Sequence, residues 1–172
     1  MTSSKTPWKK RREIPHPQVQ DAAEQYDDAR QLLQRQLPGS GVLLPLLNTA
    51  PVAVELFLKS LSSKLIHVPV EGFEGLSTVH AVPEQKHHRL IGLFDSIQDD
   101  VRSQLESSFA GQTGTTLRDL LLRYEGLFAV SRYPFEPATD IKEYPLMSLM
   151  ELCDFLRKFV ADLEPIDQIE WS

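Results

Sequence analysis

Pro51-Val52-Ala53-Val54-Glu55-Leu56-Phe57-Leu58-Lys59-Ser60-Leu61 is the stretch on which the fold turns. Val52, Val54, Leu56, Phe57, Leu58, Leu61 and, a turn further on, Leu65 point around most of a helical wheel, so a helix here has little face left for solvent. Such a helix belongs in the middle of a bundle. Asn48 or Thr49 is placed to cap it, since either side chain accepts from first-turn amides and Pro51 needs no donor there.

Outward from that helix the same periodicity recurs. Upstream, Val19, Ala22, Ala23, Tyr26, Ala29, Leu32, Leu33 and Leu37 fall three and four residues apart over 18–37, and Pro38-Gly39-Ser40-Gly41 ends the run. Downstream, Leu90, Leu93, Phe94, Ile97, Val101, Leu105 and Phe109 predict a helix over 86–109, bent where the polar cluster 98–100 falls, before Gly111-Gln112-Thr113-Gly114. Thr115 or Thr116 caps a fourth, carrying Leu117, Leu120, Leu121, Tyr124, Leu127, Phe128 and Val130 up to Arg132-Tyr133-Pro134. A fifth covers 145–163 through Leu146, Leu149, Leu152, Phe155, Leu156 and Phe159. The segment 67–85, with Pro69, Gly72, Gly75 and Pro83, reads as a long irregular connection. No segment alternates convincingly at period two, so the expectation is an all-α, up-and-down bundle of about five helices with no required sheet.

The 172 residues, 41% of them hydrophobic, suit one domain of about 100–200 residues. Residues 1–16 read as a flexible basic arm, 17–164 as the bundle and 165–172 as a C-terminal tail. The arm holds five of the 18 basic residues (Lys5, Lys9, Lys10, Arg11 and Arg12) within its first twelve positions, and none of the 24 acids falls there. The remaining chain is therefore more acidic than the net charge of −6 suggests, which disfavours generic binding to phosphate backbones outside the arm. One cysteine, Cys153, excludes an intrachain disulfide framework and a thiolate zinc site. The amino terminus has no apolar signal core, and no uninterrupted apolar run approaches a membrane span, so the expected compartment is cytoplasmic, with no membrane partner.

Chemistry is sparse. Arg132, in Ser131-Arg132-Tyr133-Pro134-Phe135-Glu136, presents a planar fork suited to phosphate or carboxylate, or else complements its helix end and pairs with Glu136. His80, His87 and His88 do not make a metal site, because adjacent His87 and His88 diverge by about 100° on a helix; His88 reads as a polar start to an apolar face. Cys153 lies in an apolar run and reads as a small buried hydrophobe. Asp27-Asp28 and Asp99-Asp100 read as solvated surface. No phosphate-cradling glycine loop, nucleophile elbow or H-E-x-x-H pair is present, and no cofactor or metal is expected.

These residues carry a resemblance to the HEPN superfamily of prokaryotic helical-bundle proteins. Ala53-Val54-Glu55-Leu56-Phe57-Leu58-Lys59-Ser60-Leu61 is similar to its A-x-E-L-x-L-K-A-L core helix, His88-Arg89-Leu90-Ile91-Gly92-Leu93-Phe94 to its H-x-L-x-x-L-F stretch, and Ser131-Arg132-Tyr133-Pro134 to its A-R-Y-P element. The resemblance spans about 19–160. It implies a homodimer with a polar cleft serving a nucleotide or RNA, with Arg132, His88, Glu55 and Lys59 as binding residues and a nucleotidyltransferase or antitoxin as a possible protein partner. The family's ribonucleases carry an arginine followed after four to six residues by a histidine, which suits metal-independent phosphodiester cleavage. Here the allowed positions hold Pro137, Ala138 and Thr139, and no histidine follows Arg132. Arg11 and His16 meet that spacing, but in an arm expected to leave them unsupported. The resulting expectation is a non-catalytic HEPN-like binding or interaction protein. Its alternatives are a divergent ribonuclease or toxin using His88, and a purely structural or regulatory helical partner.

Overall fold

The computed structural model describes residues 9–36, 38–70, 72–73, 76–83, 89–125 and 146–171. Among them, in chain order, lie β1 (Lys9–Ile14), α1 (Pro17–Gln34), α2 (Leu43–Ser62), β2 (Ser63–Pro69), β3 (Ser77–Pro83), α3 (Leu90–Asp95), α4 (Asp99–Thr113), α5 (Leu117–Tyr124), α6 (Leu146–Asp162) and β4 (Ile166–Trp171). The fold is mostly helical, as the apolar stripes predict. α2 is its axis: Leu47, Ala50, Ala53, Val54, Phe57, Leu58 and Leu61 are fully buried, and α1, α3 and α6 pack around it. The helix is long and apolar enough by composition to cross a membrane, yet most of it lies within this core.

Three helix boundaries differ from expectation, each for a local reason. α2 begins at Leu43, several residues before the predicted caps, and takes Pro51 into its interior. The side chains of Asn48 and Thr49 donate back to the Leu44 and Pro45 carbonyls at 2.9 and 2.7 Å instead of capping. Burial of Leu46, Leu47 and Ala50 offsets the cost of an internal proline, about 3 kcal/mol. The expected bend near Gln98 is a full break: α3 stops at Asp95, and α4 starts at Asp99 with two acids on its positive end. α4 then runs on to Thr113 and closes on Gly114, whose φ of 72° is open to glycine at little cost. Thr116 caps α5 as predicted, accepting from the Asp119 amide at 3.2 Å.

The larger correction is a four-stranded antiparallel sheet in the order β3-β2-β1-β4. The stretch read as an irregular connection over 67–85 contributes to a hairpin, with Ser63 opposite Pro83 and Pro69 opposite Ser77. The supposed C-terminal tail supplies β4. The basic arm is no free tail from Lys9 onward, since β1 is an inner strand paired along its whole length with β4, from Lys9↔Trp171 to Ile14↔Ile166. That register sets Lys10 opposite Glu170. Ile14 and His16 are fully buried, so Arg11 and His16 do lie in ordered backbone, contrary to the expectation that nothing holds them.

α1 is also turned from its predicted face. Tyr26 and Leu32, read as core, are 46% and 61% exposed, whereas Ala23, Asp27 and Arg30 point inward.

Candidate functional site

Of the four residues singled out by the sequence, Arg132 and His88 lie outside the described residues. Glu55 and Lys59 are brought together on consecutive turns of α2, with Lys59 Nζ donating to Glu55 Oε1 at 2.5 Å. Their side chains are 10% and 18% exposed, so the pair sits at the margin of the core. Each neutralises the other, which is the ordinary i,i+4 helix pairing.

The described chain nearest His88 and Arg132 meets at Glu125. Arg89, next to His88, donates from Nη2 to Glu125 Oε2 at 3.0 Å, and the Ile91 amide in the first turn of α3 donates to Glu125 Oε1 at 3.4 Å. Glu125 closes α5, seven residues before Arg132. The hydrogen bond and charge of Glu125 raise the Arg89 guanidinium further above its ordinary range. One residue back along the chain, Tyr124 shares a hydroxyl–hydroxyl hydrogen bond of 2.5 Å with Ser148, joining the end of α5 to the start of α6. Glu125 and Tyr124 thus tie the end of α5 to the starts of α3 and α6.

A second polar assembly escaped the sequence reading. Asp27, expected on the surface, is fully buried and accepts from Arg30 Nε at 2.6 Å, Arg157 Nη1 at 2.9 Å and Gln31 Nε2 at 2.9 Å. Arg30, also fully buried, reaches on to Asp154 and Gln34. Burial alone would raise the Asp27 carboxyl, but the hydrogen bonds from Arg30 and Arg157 hold it below its ordinary value. The signal was the spacing of Asp27, Arg30 and Gln34 on one helical face, which reads equally well as surface. The assembly fixes α1 against α6.

Chemical capacity elsewhere is limited. Cys153 is buried, its Sγ donating to the Ala50 carbonyl at 3.6 Å, and burial pushes its thiol up, away from thiolate reactivity. Among the described residues no three His, Cys, Asp or Glu side chains are grouped to hold a metal ion. A cleft of about 260 Å³ between α4 and α6 has Gln104, Ser108 and Gln112 on one wall, Lys158 and Asp162 on the other, and Phe155 and Phe159 at its base.

No known protein family, curated protein or solved structure matches the chain.

Proposed function

We propose that this chain is a non-catalytic HEPN-like binding protein that holds a nucleotide or short RNA element through Arg132, within the cleft of a homodimer. The observation that carries the reading is the Glu125 clasp. One carboxylate at the end of α5 gathers the Arg89 side chain and the Ile91 amide in the first turn of α3, which supports a polar site at this end of the helices. The Ala53–Leu61 stretch lies in α2 and the Leu90–Phe94 stretch in α3, with the β2–β3 hairpin between them. The missing downstream histidine supports binding without cleavage, because a guanidinium can hold phosphate but cannot relay the proton that phosphodiester transfer needs.

Thermal unfolding with ATP, GTP or a short single-stranded RNA tests the reading, since a ligand bound only by the folded state raises the midpoint by mass action. At least one of the three stabilises the wild type and fails to stabilise Arg132→Ala, and light scattering gives twice the monomer mass. No stabilisation by any of them removes the nucleotide and RNA reading and leaves a partner protein as the ligand. Metal-free RNA cleavage that depends on both Arg132 and His88 replaces it with the ribonuclease.

A further inference from the structure

We propose that His16 is an acid-operated latch, whose imidazole, sealed without a partner where β1 turns into α1, releases strand β1 and its run Lys9-Lys10-Arg11-Arg12 from the end of α2 once protonated. The residue occupies a double joint. Its backbone amide donates to the Ser60 carbonyl at 2.7 Å, close to where α2 gives way to β2, while its carbonyl receives the first amides of α1 from Val19 and Gln20. Two chain reversals thus meet at one residue.

Its side chain is fully buried, and among the described residues neither ring nitrogen has a hydrogen-bond partner beyond its own backbone. Buried polar groups are nearly always partnered, and such an orphan marks stored free energy. The nearby hydroxyls do not relieve it: Ser60 Oγ donates to the Phe57 carbonyl at 2.7 Å and Ser62 Oγ to the Lys59 carbonyl at 3.5 Å, both within their own helix. On β1, Glu13 is the ionisable group whose charge reaches the imidazole. Glu55 and Lys59 of α2 pair with one another, Lys64 is the second residue of β2, and on α1 Asp21 and Glu24 accept from Gln25 and Gln20.

Burial lowers the His16 imidazole from its ordinary value of 6.5, and the Glu13 charge and the backbone of His16 itself oppose this only in part. The sign follows. The unfolded or released chain binds the proton more readily than the closed one, so closure is at full strength above about pH 6.5 and weakens as pH falls from there toward the lower value of the closed form. Below that value the loss is complete and constant. The strand so released is an inner one, held on one side by β2 and on the other by β4.

Hydrogen exchange of the whole chain at pH 7.5 and pH 5.0, corrected for intrinsic rate, reads the latch directly. Acid lowers protection at least tenfold in 9–16 and 60–66 and leaves 101–109 of α4 unchanged. In His16→Phe, which fills the site without titrating, protection in those segments is the same at both pH values; His16→Met serves if the larger ring is not accommodated. Equal acid loss in the variants, or uniform loss across the wild type, overturns the latch. If neither variant folds, the His16 ring proton signals of the wild type still decide: a midpoint at or above 6.5, or titration without loss of protection in 9–16, overturns it.

Discussion

Arg30 of α1 reaches Asp154 of α6 with an Nη2–Oδ1 separation of 2.5 Å, and on its other edge grips Asp27 at 2.6 Å. A guanidinium with no exposed side-chain surface therefore stands where a leucine would be expected, at the contact that holds the first helix to the last. Removing Arg30 leaves Asp27 buried with Arg157 and Gln31 on one oxygen and no cation on the other. Arg30→Ala is expected to lower unfolding free energy by about 3–5 kcal/mol in urea titration, whereas Arg30→Met with Asp27→Leu loses much less. Equal losses in the single and double variants would mean that packing, not charge compensation, sets the cost.

The same cluster sets an acid limit. Burial opposes ionisation of Asp27, but its hydrogen bonds to Arg30 and Arg157 prevail and hold its carboxyl below the unfolded value of 3.8. The resulting stability is present above that value and is lost as pH falls through the lower folded value. Below pH 4, stability should therefore fall more steeply in the wild type than in Asp27→Asn. Parallel pH curves for the two would remove Asp27 from the account of acid unfolding.

Phe155 joins the α4–α6 contact to the core, meeting Phe109 edge to face with ring centres 4.9 Å apart. Phe155→Ala should cost about 3–5 kcal/mol, the usual loss for deleting a buried aromatic ring. A loss under 1 kcal/mol by chemical denaturation would show that the cleft beside it collapses freely.

Thr116 is a smaller and more local test. Its Oγ1 accepts from the Asp119 amide at 3.2 Å, so Thr116→Ala should cost about 1 kcal/mol, and Thr116→Asp should restore it. No difference between Ala and Asp at this position contradicts a capping role.

The helical body was legible because its cause is local: an apolar stripe at helical spacing needs no knowledge of the rest of the chain, and the wheel of Val54, Phe57, Leu58 and Leu61 placed α2 at the centre. The sheet was not. Lys9-Lys10-Arg11-Arg12-Glu13-Ile14 has no alternation, and it is a strand only because Leu65, Ile66 and 166–171 return from far along the chain to pair with it. The β2–β3 hairpin was obscured because prolines at its ends and Gly72 in its turn resemble the punctuation of an irregular loop. Asp27 and Arg30 were misread for another reason: helical spacing shows that two residues share a face but not which way it points. At the candidate site, the ordinary pairing of Glu55 with Lys59 followed from spacing, whereas the grip of Glu125 on Arg89 joins residues 36 positions apart and left no trace in either motif.

Hydrogen exchange with and without the most stabilising of ATP, GTP and a short single-stranded RNA asks most directly where the chain binds. The account predicts added protection at 89–91 and 122–125, on both sides of the Glu125 clasp, and its disappearance in Arg132→Ala. Protection confined to the α4–α6 cleft, or unchanged by loss of Arg132, contradicts it.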